Sequence, residues 1–71
     1  SARNDVREAL ERLPAKLRAA VVLVSMEGLT HREAGEVLGC REGTVSWRVY
    51  QARERLREWL ERDGDERRGE S

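Results

Sequence analysis

Two short stretches, Thr30-His31-Arg32-Glu33 and Gly39-Cys40-Arg41, constrain this chain more than any others. A Thr three residues before a Glu is a capping box: its hydroxyl accepts from the backbone N–H three residues on, and the carboxylate accepts from the backbone N–H of the Thr. A helix therefore begins after Thr30. Gly39 suits the left-handed conformation that ends a helix, which limits this one to about 31–38, with Ala34, Val37 and Leu38 facing inward. Only a tight turn remains before the next helix, in which Val45 anchors the first buried turn and Cys40 fills the corner. Short helix, three-residue turn and longer helix are the parts of a helix-turn-helix. Gly35 adds to the argument, because a glycine inside a helix costs about 1 kcal/mol relative to alanine. Its presence implies that another backbone passes close by, and the following helix is the expected neighbour.

The remaining apolar residues recur at helical spacing. Val6, Ala9, Leu10 and Leu13 fall at i, i+3, i+4 and i+7, giving a first helix over about 5–12 with Asn4 or Asp5 as its cap. Pro14 suits the first turn of a new helix. That second helix runs over about 14–27 through Leu17, Ala20, Val21, Leu23, Val24 and Met26 to Gly28, and its broad apolar band marks it as the central one. The fourth helix spans about 42–61. Val45, Val49, Ala52, Leu56, Trp59 and Leu60 share one of its faces, and Trp47, Gln51, Glu54 and Glu58 the opposite one. The fold expected is all-α: a four-helix domain over 1–62 containing a helix-turn-helix. Residues 63–71, with no apolar side chain and two glycines, are expected to be a disordered charged tail.

Seventy-one residues support one core, since a chain this short buries only about 60% of its unfolded surface. Charged residues make up 39% of it, and its apolar runs fall far short of the roughly 20 residues that span a bilayer. A soluble, cytoplasmic protein without membrane insertion is expected. One Cys and one His are too few for a disulfide or a structural zinc site, so neither a metal nor another cofactor is expected. There is no Gly-rich phosphate loop and no nucleophile with a His and carboxylate partner, which argues against an enzyme. Net charge is zero, an unusual balance for a nucleic-acid binder. Its distribution matters, however: residues 1–62 carry 12 Lys and Arg against 10 Asp and Glu, while residues 63–71 carry 2 against 4.

The stretch from Leu13 to Leu60 resembles the C-terminal DNA-reading domain, region 4, of bacterial RNA polymerase sigma factors, in particular the extracytoplasmic-function group. Four segments carry the likeness: Ala9-Leu10-Glu11-Arg12-Leu13-Pro14, Met26-Glu27-Gly28-Leu29-Thr30, Glu33-Ala34-Gly35-Glu36-Val37-Leu38-Gly39 and Gly43-Thr44-Val45-Ser46-Trp47-Arg48. The resemblance implies that the fourth helix enters the major groove of the −35 promoter element, while the first two help to hold the RNA polymerase core. It carries the groove-facing positions onto Arg41, Thr44, Ser46, Trp47, Arg48 and Gln51. Arg41 and Thr44, at the positive end of the fourth helix, suit phosphates. Gln51 can pair with adenine, Ser46 with several base edges, and Trp47 with thymine methyls or sugars. Arg48 lies toward the core edge, where Glu33 is an alternative partner. Tyr50 and Arg53 flank the core face and suit packing or phosphates equally.

This sequence departs from the family where Ser46 and Gln51 replace frequent Lys or Arg, and where Arg41 replaces a capping Ser or Thr. Both lower the cationic charge or the helix cap available for DNA, a loss that tethering to polymerase offsets. The alternative is a sigma-like module that engages an anti-sigma factor rather than DNA. A response-regulator domain would instead bind paired half-sites as a dimer, whereas the sigma reading implies a monomer on one site. A complete sigma factor needs a further promoter-melting domain, so the chain is expected to be one part of a longer protein.

Overall fold

A computed structural model describes the backbone of residues 2–70 and the side chains of residues 5–61. Four helices follow one another: α1 (Ala2–Arg12), α2 (Ala15–Val21), α3 (His31–Leu38) and α4 (Glu42–Glu70), with a π-helical turn over Val22–Met26 extending α2. No strand occurs among the described residues. The domain is all-α, with α3 and α4 as the two arms of a helix-turn-helix.

The local chemistry of α3 sets its limits where the sequence placed them. Thr30 Oγ1 accepts from the Glu33 backbone N–H at 3.0 Å, and Glu33 Oε1 accepts from the Thr30 backbone N–H at 2.9 Å. At the other end Gly39 has φ 72°, and Cys40 N–H closes the helix onto the Gly35 carbonyl at 3.0 Å.

Other boundaries move. α1 starts at Ala2, so Asn4 and Asp5 lie inside its first turn rather than capping it; an acidic Asp5 there favours the positive helix end. Pro14 stands just before α2 with extended ψ of 145°, and its carbonyl accepts from Arg18 N–H at 2.9 Å. The single helix expected over 14–27 changes its hydrogen bonding at Val22. Glu27 N–H donates five residues back to Val22, and Leu29 N–H six residues back to Leu23, around Gly28 at φ 76°. α4 continues to Glu70, beyond the end expected at Glu61. The side chains of the expected tail, 63–71, lie outside the described residues.

Two apolar clusters make the core. Leu13, Leu17, Val21 and Ala52 form one, with Leu10, Val22, Leu56 and Trp59 packed on it. Ala20, Ala34, Val45 and Val49 form the other, bordered by Leu23, Val24, Leu29, Leu38 and Cys40. α4 supplies buried residues to both and packs against all three other helices, so it, not α2, is the central element. α2 also serves both clusters, through Leu17 and Val21 in one and Ala20 in the other, but its two turns are short beside α4, which meets every other helix. Ala20, Ala34 and Ala52 are fully buried, and their small side chains allow the helices to approach closely.

Three residues expected inside are exposed: Val6, Met26 and Val37. The buried face of α3 is centred on Ala34, Gly35 and Leu38, and Val37 lies about 100° around the helix from that centre. Gly35 is needed, but for a neighbour other than the one expected. A Cβ there would stand 2.6 Å from the Cys40 carbonyl oxygen, so the turn backbone, rather than the body of α4, makes the close approach.

Candidate nucleic-acid interface

The angle of α4 is fixed by its first two turns. Thr44 and Val45 N–H donate to the Arg41 carbonyl at 3.0 and 3.1 Å, starting the helix directly from the turn. Val45 is fully buried against Ala20 and Ala34. With that face buried, Ser46 and Trp47 beside it are exposed.

Six positions were singled out by sequence. Ser46 and Trp47 face solvent together, lining one shallow concavity with Gly43 and Tyr50. Gln51 is half-buried, one turn further along, and Thr44 is half-buried at the start of the helix. Arg41 is exposed at the turn. Arg48 is set apart from these: half-buried on the flank of α4, its guanidinium donates to the Cys40 thiol at 3.8 Å. It does not pair with Glu33, whose carboxylate is taken up by the capping box. That same contact explains why the Glu33 carboxyl is held below its ordinary pKa: the Thr30 backbone N–H stabilises the anion, and the Thr30 side chain adds to it.

Tyr50 belongs with the outer face, although sequence reading placed it beside the core. Its ring stacks on Trp47 with centroids 5.7 Å apart and planes 20° from parallel, and the two side chains are 56% and 59% exposed. The signal for it was present: Trp47 and Tyr50 are three apart, the spacing of neighbours on a helix surface. The third aromatic residue, Trp59, packs instead on the core beneath the Arg12 guanidinium, 5.9 Å from its ring. Two exposed aromatic rings in contact present an apolar, polarisable surface with a single geometry, suited to methyl groups and sugars.

Charges further along are engaged with one another. Arg57 pairs with Glu54 and Glu61 at helical spacing. Arg53 donates to Ser25 Oγ at 3.0 Å, tying α4 to the π-helical turn. Cys40 is a free, half-buried thiol. Among the described residues no cluster of His, Cys, Asp or Glu is arranged to hold a metal, and no helix is long and apolar enough to cross a membrane.

A second surface lies between α1 and the π-helical turn. Val6, Leu10, Val22 and Met26 line an apolar groove of about 640 Å³ there, edged by Arg7, Glu11 and Arg18. The Arg18 guanidinium reaches the Glu11 carbonyl at 3.4 Å across it.

Comparison with known proteins agrees with this architecture. The family described as Sigma-70, region 4, matches residues 3–56. The ECF RNA polymerase sigma factor SigE of Mycolicibacterium smegmatis is 44% identical over 62 residues, covering 87% of this chain and 24% of that protein. The sigma factor EcfG of Rhodopseudomonas palustris is 38% identical over 63 residues, 89% of this chain and 35% of that protein. SigM of Mycobacterium tuberculosis is 49% identical over 51 residues, 72% of this chain and 26% of that protein. The chain thus spans about a quarter to a third of the length of these relatives, and they indicate no catalytic family. It belongs to the sigma-70 region 4 family, as the C-terminal region of an ECF sigma factor.

Proposed function

We propose that this domain recognises the −35 promoter element as part of a sigma factor in transcription initiation, with α4 in the major groove. The observation that carries the reading is the outer face of α4, where Ser46, Trp47 and Tyr50 stand exposed while Val45, Val49 and Ala52 are locked in the core. Ser46 and Gln51 supply hydrogen bonds to base edges, Trp47 and Tyr50 apolar contact with thymine methyls or sugars, and Arg41, Thr44 and Arg48 contacts to the phosphate backbone. The domain acts as a monomer in the cytoplasm, alongside the RNA polymerase core.

The apolar groove of Val6, Leu10, Val22 and Met26 favours a protein partner on a surface separate from the outer face of α4. In the sigma reading that partner is polymerase. The same groove, with a net charge of zero, supports the alternative that the domain engages an anti-sigma factor instead of DNA.

Fluorescence anisotropy on a labelled random duplex library at two salt concentrations separates the two. Sequence-selective, salt-sensitive binding that Trp47→Ala and Gln51→Ala both weaken is the expected result. Absence of duplex binding at low salt would transfer the function to the protein-binding reading.

A further inference from the structure

Lys16, at the start of α2, and Arg48, on the flank of α4, line a single notch of about 380 Å³ together with Leu38 and Cys40. No carboxylate lines it, and among the described residues neither cation takes part in an ion pair. Arg48 is half-buried, and its guanidinium donates to the Cys40 thiol at 3.8 Å. Two cations lining one concavity that no carboxylate lines make a place for an anion from outside.

The position of the notch says which anion. Successive residues of an α-helix advance by about 100°, so Arg48 stands that far round from Trp47 at nearly the same height. A helix with its side chains is about 10–12 Å across and fills a major groove about 12 Å wide. With Trp47 toward the base edges, the flank bearing Arg48 faces the wall of the groove, and that wall is built of phosphates. Lys16 lines the same notch from α2, a helix outside the helix-turn-helix.

We infer that Lys16 and Arg48 together grip one backbone phosphate of the duplex read by α4. The inference rests on the promoter-reading proposal and adds to it a positioning contact from α2 that carries no sequence information. Arg48 belongs, on this geometry, to the groove wall and not to base reading.

The test is the salt dependence of duplex binding by the 71-residue chain, for wild type, Lys16→Ala, Arg48→Ala, the double variant and Lys16→Arg, with folding checked by circular dichroism. Each phosphate contact contributes about 0.9 to the slope of log affinity against log salt. The double variant is expected to lose about that much, each single variant part of it, and Lys16→Arg little. Affinity should fall several-fold on preferred and scrambled duplexes alike, leaving their ratio unchanged. Duplex binding with an unaltered slope in the double variant would overturn the phosphate grip alone. Altered selectivity at unchanged slope would also overturn it, by making Arg48 a base reader. Saturable binding of inorganic phosphate at the notch, with an unchanged duplex slope, would make it a free-anion site and overturn it likewise. Failure of the wild type to bind any duplex would overturn the promoter reading and this inference together.

Discussion

The corner between α3 and α4 and the groove between α1 and the π-helical turn are built on opposite plans. At the corner, backbone meets backbone: Gly35 leaves no room for a Cβ beside the Cys40 carbonyl, and Val45 is fully buried a few residues on. At the groove, α2 gives up its regular hydrogen bonding after Val21, and Val6 and Met26 remain 39% and 64% exposed. One region uses its apolar residues to fix an angle, and the other leaves them exposed. In the promoter-reading proposal, the first holds the reading helix at a set tilt and the second is left for a protein partner.

The contrast is sharpest at Gly35. Gly35→Ala places a Cβ 2.6 Å from a backbone oxygen that cannot rotate away, so the turn itself must shift. Overpacking of this kind costs about 2–3 kcal/mol, read as a lowered midpoint in urea unfolding. Unchanged stability would show that the turn is pliable and would remove the corner's claim to set the angle of α4.

Val45→Ala should follow closely, at about 2 kcal/mol, because it removes two carbons from a fully buried site and leaves a void. Thermal unfolding measures it. Thr30→Ala should cost less, about 1 kcal/mol, by releasing the Glu33 backbone N–H from its cap.

The capping box also predicts a pH dependence of definite sign. The Glu33 carboxyl is lowered in the folded state, so its contribution is complete above the ordinary carboxylate range and is lost as pH falls through the lowered value. Glu33→Gln should therefore differ most in stability from wild type near neutrality and converge with it in acid. A gap that persisted at low pH would mean that the anion is not what the Thr30 N–H rewards.

The smallest stability effect belongs to the groove. Met26→Ser should change unfolding free energy by no more than about 0.5 kcal/mol, since the side chain is mostly in water. Its expected effect is on association with a protein partner, measured by pull-down or calorimetry with polymerase core. If Met26→Ser destabilised the domain as much as Val45→Ala, the groove would be core and the comparison would fail.

Sequence alone settled those elements whose cause is local. A capping box needs only Thr30, Glu33 and the backbone between them, and Gly39 needs only its own φ, so α3 was legible to the residue. The Val45, Val49 and Ala52 stripe was legible for a similar reason: helical periodicity assigns one face inward, and the opposite face, with Trp47, follows. What the sequence could not decide was how the helices meet. The change of pitch at Val22, the half-burial of Gln51 and the exposure of Val37 depend on which neighbour covers which side. Tyr50 is three residues from Trp47 in any helix, yet only the packing of α4 on α1, α2 and α3 turned both rings outward to stack. Lys16 and Arg48, far apart in sequence, share a notch only because α2 crosses the flank of α4, and a juxtaposition of that kind is set by tertiary contacts that local propensity does not encode.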